Sequence, residues 1–218
     1  INNKLYPIGN IKVEYNKKLD IGFEICRDAW DEERPLNYLR TKRKLLILNP
    51  VGSHFAFGKY KFWKKLIIKT SKKYNCTYLS CNLLGNESGK VIYDGHIIAA
   101  HNGKLIGENK RFSFRDYNLY IIDKKNYKKL DYENHYEEFF DAASLALFDY
   151  KRKSNCEGFI LSLSGGLDSS TVAIMVSEMI KRAIKNIGLD LFINRFNLKL
   201  DEIEYKKIIK LKKKQLYK

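Results

Sequence analysis

Two stretches of this chain combine residue types and spacing that could do chemistry. The first is Gly158-Phe-Ile-Leu-Ser-Leu-Ser-Gly-Gly-Leu-Asp-Ser-Ser170, an apolar run that breaks into paired glycines and hydroxyl residues. Gly165 and Gly166 would let the backbone approach a ligand more closely than any side chain permits, and Asp168, Ser169 and Ser170 open a helix. Unpaired N–H groups at a helix start, with the positive end of its dipole, suit an anion such as phosphate. No Lys-Ser/Thr pair follows the glycines, so the loop is not of the Walker A type. The second stretch is Gly22-Phe-Glu-Ile-Cys-Arg-Asp-Ala-Trp30, in which Cys26 ends an apolar strand and meets a polar turn. A sulfur there can be exposed in a pocket, with nearby N–H groups favouring the thiolate of a nucleophile. The alternative is a small core residue.

The elements that would position these residues follow from periodicity. Ile11 to Tyr15 and Leu19 to Ile25 are expected as a hairpin turning at residues 16–18 and running into Cys26. Residues 27–33 form a charged segment around Trp30, Leu36 to Arg43 a short helix, and Lys44 to Asn49 an apolar strand before the turn at 50–53. Gly58 to Tyr74 has helical spacing, with Tyr60, Trp63, Ile67 and Ile68 on one stripe and lysines opposite. Strands are expected over Thr77–Cys81, Val91–Ala100 and Tyr117–Ile122, with a tight hairpin turn at His101-Asn-Gly103. Tyr136 to Arg152 is expected as a helix with Phe139, Phe140, Ala143, Leu147 and Phe148 on one side. Phe159 to Leu163 is expected as a buried strand, and Asp168 to about Ile187 as a helix that Gly188 interrupts. Ile203, Ile208, Ile209 and Leu211 are the repeated apolar positions of a lysine-rich tail of one or two marginal helices. The division is 1–123, a connector at 124–134, then 135–187 and the tail 188–218.

Composition narrows the class. With 44% hydrophobic and 13% aromatic residues, 218 residues can fold around one or two cores. The net charge of +16 comes from lysines spread along the chain, which points to a general bias and argues against a nucleic-acid partner. Cys26, Cys76, Cys81 and Cys156 form no CxxC pair and the four histidines do not cluster with them, so reduced thiols are expected and a zinc site is not. No run reaches the roughly 20 apolar residues of a membrane span. The start lacks an initiator methionine and an apolar signal core, so a cytoplasmic piece of a longer protein is expected.

Ser164-Gly-Gly-Leu-Asp-Ser169 resembles the SGGxDS loop of N-type ATP pyrophosphatases. The segment around Cys26 resembles the nucleophile strand of nitrilase-type carbon-nitrogen hydrolases. Asn49-Pro-Val-Gly-Ser-His54, Gly58-Lys59, Tyr93-Asp-Gly95 and Ala100-His-Asn-Gly103 are similar, in order and spacing, to the glutaminase domain of glutamine-dependent NAD synthetases. The resemblance to that family runs from about Pro7 to about Ile187. It implies an α/β chain: the C-terminal part of a nitrilase-like α-β-β-α sandwich, then the first elements of an adenine nucleotide α hydrolase-like, Rossmann-like parallel-sheet domain.

The resemblance also implies roles. Cys26 would attack the side-chain amide of glutamine, with Ser53 and Lys59 holding the ends of that substrate. Ser164, Gly165, Gly166 and Ser169 would hold the phosphates of ATP and Asp168 would bind Mg²⁺, while the nicotinate carboxylate of deamido-NAD is adenylated. The full-length family members would be homo-oligomers, and this chain alone is expected to be inactive. Several features depart from the family. The glutamate base and the lysine of nitrilase catalysis should lie further upstream than the 25 residues before Cys26, Arg27 stands where relatives carry glutamate, and the connector is short. The adenine and deamido-NAD sites and the second acidic magnesium ligand are expected to be missing from this chain, and the 188–218 tail does not resemble the family. Two other readings are a stand-alone nitrilase-type amidase and a catalytically dead scaffold or basic nucleic-acid binder.

Overall fold

The computed structural model describes residues 5, 9, 12–87, 89–122, 130, 134–207 and 210. A six-stranded sheet has the spatial order β1 (Val13–Asn16), β2 (Leu19–Phe23), β3 (Lys44–Val51), β4 (Thr77–Asn82), β7 (Ile97–His101), β8 (Lys104–Glu108). The chain enters as an antiparallel β1–β2 hairpin, β2, β3 and β4 run parallel, and β7 and β8 return antiparallel. A parallel pair needs a crossover, and α1 (Lys59–Lys73) supplies it between β3 and β4. In β3 burial alternates, placing Leu45, Ile47 and Val51 in one core with Trp63 and Ile67 of α1, Tyr78 of β4 and Ile98 of β7. The lysines at 61, 65, 69, 72 and 73 remain exposed on the outer face of α1, as its amphipathic spacing predicts. Asn102 and Gly103, at φ 44° and 79°, make the two-residue turn joining β7 to β8, a geometry that Asn-Gly favours.

A smaller ladder, β5 (Leu84–Glu87) with β6 (Val91–Asp94), lies beside the main sheet and contacts α2 (His135–Ser154). α2 packs on α3 (Leu167–Ile187), and Gly188 separates α3 from α4 (Leu189–Arg195). Their core contains Leu145, Phe148, Met179, Ala183, Phe192 and Phe196, with Phe112 and Phe114 from the segment after β8. Gly85, at φ 101°, allows α2 to approach β5: a Cβ there would lie 2.2 Å from the Asp149 carboxylate, which accepts a hydrogen bond from the Asn86 N–H at 2.8 Å.

Several sequence expectations are corrected. Residues 36–43 are not a helix: only Pro35–Asn37 makes a short 3₁₀ turn, and Thr41 and Arg43 are drawn instead onto the buried Asp20 carboxylate. The 91–100 strand divides into β6 and β7 at Gly95-His96, because Gly95 at φ 63° redirects the chain and is bonded to Leu83. Residues 117–122 form no strand; Leu119 and Ile121 are each 80% exposed and neither sheet takes them in. The buried face of α2 carries Ala142, Leu145 and Phe148 together with Glu138 and Asp149, whereas Phe139 is exposed. Burial of those two acids follows from cationic and N–H partners that the helix alone does not reveal. Residues 159–163 form no strand and lie outside both sheets, with Ile160 fully exposed, since no described strand offers them a ladder. Ile11, most of the 124–134 connector, Ile208, Ile209 and Leu211 lie outside the described residues. Among the described residues no helix is long and apolar enough to cross a membrane.

Candidate active-site residues

Cys26 begins a 3₁₀ turn (Cys26–Trp30) beyond the C-terminal end of β2, half-buried against the first core. Its φ is 45°, in the left-handed region that a non-glycine residue enters at a steric cost. The turn is held by the Ile25 N–H donating to the Asp28 carboxylate at 2.8 Å and the Asp28 N–H donating to the Ile25 carbonyl at 3.0 Å. Trp30 closes the turn onto α1, its ring 4.6 Å from that of Trp63 and 5.2 Å from that of Phe62. Arg27 is exposed.

Glu24, two residues before the cysteine, is wholly buried and accepts hydrogen bonds from Arg34 Nε (2.8 Å), Arg34 Nη2 (2.5 Å) and the Tyr78 hydroxyl (2.7 Å). Burial first, and then the charge of Glu24 and that hydrogen bond, push the Tyr78 phenol far above its usual range. This cluster was not legible in the sequence, where Glu24 reads as one polar residue in a strand.

Ser53 and Lys59 are brought together on the wall of a small cavity of about 10 Å³, shared with Tyr60, Asn82, Asp94 and His96. Cys26 is not among the residues lining it. The backbone N–H of Ser53 donates to Asn82 Oδ1 and its carbonyl accepts from Asn82 Nδ2, both at 2.9 Å. Lys59, the first residue of α1, donates to the His54 carbonyl at 2.9 Å. Tyr93 pairs through its backbone with His54, and its phenol is raised by a hydrogen bond with Glu87, by burial, and by the neighbouring Cys26 sulfur.

From Asn82 a buried polar chain continues. Asn82 Nδ2 donates to Asp94 Oδ1 (2.7 Å), Asp94 Oδ2 accepts from Arg111 Nη1 (3.2 Å), and Arg111 Nη2 donates to Glu138 Oε1 of α2 (2.5 Å). Asp94 also faces His96 Nδ1 at 2.9 Å. Burial alone would raise the Asp94 carboxyl, but the hydrogen bond and charge of His96, the Asn82 amide and Arg111 hold it well below the usual carboxylate range. No sequence signal marked Asn82, Arg111 or Glu138; Asp94 stood only within the Tyr93-Asp-Gly95 motif and His96 only within an expected strand.

The 164–169 loop is exposed and leads directly into the 21-residue α3. Gly165 sits at φ 82°, so a glycine is favoured there by the turn itself, while a Cβ would meet nothing within 4 Å. Ser164 Oγ accepts from the Gly166 N–H at 3.3 Å and lies 3.1 Å from Ser169 Oγ, which also donates to the Gly166 carbonyl at 3.2 Å. Gly166 caps α3 without a side-chain bond, leaving the first-turn N–H groups directed out of the helix, with Asp168 beside them. Among the described residues no cluster of three metal-ligating side chains occurs.

Residues 140–217 match the NAD synthase family model, a span that takes in the lysine-rich tail set apart above. A glutamine-dependent NAD(+) synthetase of Synechocystis is 30% identical over 178 residues, covering 74% of this chain and 32% of the relative. The crystal structure of a glutamine-dependent NAD(+) synthetase from Cytophaga hutchinsonii superposes with a TM-score of 0.73 at 44% identity, over 90% of this chain and 31% of that one. The Acinetobacter baumannii enzyme, solved in complex with ADP, gives 0.70 at 22% identity, over 81% and 34%, and so bears on the fold alone. The chain spans about a third of the length of these relatives.

Proposed function

The chain is related to the glutamine-dependent NAD synthetases, and we infer from this that it carries the nucleophile of a nitrilase-like glutaminase unit and the ATP loop of the synthetase unit that follows. The observation that carries the reading is the presence, in one chain, of a cysteine turn at the end of a parallel strand and a Ser-Gly-Gly-Leu-Asp-Ser loop at the head of a long helix. The units are 1–123 and 135–187, joined by the connector at 124–134; of the basic 188–218 stretch, Phe192 and Phe196 pack with α2 and α3 in the second core.

In the first unit Cys26 Sγ attacks the side-chain carbonyl carbon of glutamine. The C–N bond breaks, nitrogen leaves as ammonia after taking up a proton, and water hydrolyses the thioester to glutamate and the free thiol. Ser53 and Lys59 hold the amino-acid end of the substrate, Lys59 offering a cation to its carboxylate. The glutamate base and lysine of this chemistry come from sequence beyond this chain. In the second unit Ser164, Ser169 and the amides of Gly165 and Gly166 cradle the β and γ phosphates of ATP. Mg²⁺ at Asp168 would neutralise charge on the departing pyrophosphate. The nicotinate carboxylate of deamido-NAD attacks the α-phosphate, pyrophosphate leaves, and ammonia displaces AMP to form the amide. A carboxylate is a poor electrophile, and converting its oxygen to an adenylate leaving group is what ATP contributes. The enzyme is a cytoplasmic homo-oligomer in this reading.

The test uses the full-length polypeptide. Cys26→Ala should abolish ammonia release from glutamine but leave adenylation of deamido-NAD, and Asp168→Asn should do the reverse. Glutamine hydrolysis that survives Cys26→Ala, or NAD formation that survives Asp168→Asn, refutes the corresponding half.

A further inference from the structure

We propose that Glu24 and Arg34 are a positioning pair for Cys26, closing the two ends of the loop that holds this thiol in a left-handed backbone conformation; the proposal rests on the reading of Cys26 as nucleophile. A non-glycine residue at φ 45° persists only where its surroundings over-determine the backbone. The bonds within the turn are local, between Ile25 and Asp28, and do not tie it to the sheet. Glu24 does. Its N–H donates to the Leu48 carbonyl at 3.1 Å and its carbonyl accepts from Asn49 Nδ2 at 2.7 Å, fixing the exit of β2 against β3.

Its side chain then reaches the far end of the same loop. Oε1 accepts from Arg34 Nε at 2.8 Å and from the Leu36 N–H at 3.3 Å, and Oε2 accepts from Arg34 Nη2 at 2.5 Å. Residues 25–33 are thereby a loop whose entry and exit meet at one carboxylate. Arg34 extends the clamp to α1, donating from Nη1 to Thr70 Oγ1 at 3.3 Å and lying 5.9 Å from the Tyr74 ring centre, and Tyr78 extends it to β4.

A buried ion pair is an expensive way to close a loop compared with apolar packing. What a bidentate Arg–carboxylate pair adds is a fixed direction as well as attraction. That property matters for a nucleophile, because small misplacements of reacting groups are costly in rate. The cluster is screened from solvent: Glu24 is fully buried, Arg34 is 7% exposed, and neighbouring Cys76 is 1% exposed.

The experiment compares three variants of the full-length polypeptide, normalising turnover to the amount of Cys26 titrated by an alkylating glutamine analogue. Glu24→Gln keeps the side chain's shape and removes its charge; kcat for glutamine hydrolysis per titrated site should fall roughly 10- to 100-fold with KM within about threefold. A merely structural pair would lower the folded fraction and leave kcat per titrated site unchanged, and that result overturns the proposal. Should Glu24→Gln fail to fold, Tyr78→Phe removes one hydrogen bond to Glu24 and should lower kcat per site by roughly three- to tenfold at unchanged KM, with no change overturning the proposal. Cys26→Ala separates the two ideas. If it still hydrolyses glutamine, the nucleophile assignment falls and the clamp with it; if it is inactive while Glu24→Gln is fully active, only the clamp falls.

Discussion

Replacing Arg111 with methionine would withdraw a cation from between two buried carboxylates. The guanidinium is 2% exposed, with Nη1 3.2 Å from Asp94, Nη2 2.5 Å from Glu138, and its carbon 4.3 Å above the Tyr60 ring. Methionine keeps much of the apolar stem, so the loss is chiefly electrostatic. Removing one partner of a buried pair typically costs about 3–5 kcal/mol. With a urea dependence of about 2 kcal/mol/M, the unfolding midpoint should fall by about 1.5–2.5 M. Trp63, 1% exposed and 6.0 Å from the His96 ring, reports the transition by fluorescence. The pH dependence has a definite sign. The folded Asp94 carboxyl is depressed, so its stabilisation is present above the unfolded value of about 4 and is lost as pH falls through the folded value. Without Arg111 part of that depression disappears, so the deficit of the variant is full at pH 7 and narrows only as pH falls below the variant's own folded Asp94 value, which lies under the unfolded one. A midpoint shift under about 0.5 M at pH 7 would show that this chain of charges is not stabilised as described.

Two further expectations concern the loop and the thiols. Gly165→Ala places a side chain in open space but at φ 82°, a conformational cost of about 1 kcal/mol; ATP affinity measured by calorimetry should fall about fivefold while the unfolding temperature barely moves. An unchanged Kd would show that the left-handed turn at Gly165 does not shape the phosphate cradle. Burial, with a smaller contribution from the charge of Glu24, pushes the Cys76 thiol up to about 12. In native protein at pH 8, iodoacetamide should therefore modify exposed Cys156 and spare Cys76 until urea is added, as read by peptide mass mapping. Equal rates at the two cysteines would contradict the burial of Cys76.

Much of the fold was legible because its causes are local. The stripe of Trp63 and Ile67 defines α1, Asn102-Gly103 selects a hairpin turn, and the apolar run from Thr171 with a glycine at each end sets α3. The errors arose where a distant partner overrides local preference. Leu36 to Arg43 has helical composition, yet Asp20 draws Thr41 and Arg43 into another path. Leu119, Ile121 and Ile160 look like strand residues, but a strand exists only through a neighbour with which to exchange hydrogen bonds. In α2 the expected face was right at Phe148 and wrong at Phe139, which is exposed, while Arg111 and Asn86 make burial of Glu138 and Asp149 favourable.

The candidate site divides in the same way. The sequence by itself determined the candidate groups: a thiol after an apolar strand, and glycines and hydroxyls ahead of a helix, picked out by side-chain type and short-range backbone preference. Only the tertiary structure decided how they are held. The left-handed Cys26, the meeting of Glu24 with Arg34, and the chain from Ser53 through Asn82 and Asp94 to Arg111 and Glu138 join residues far apart in the sequence. Burial strengthens these charge pairs and makes an unpaired partner costly, and burial is a property of the assembled fold.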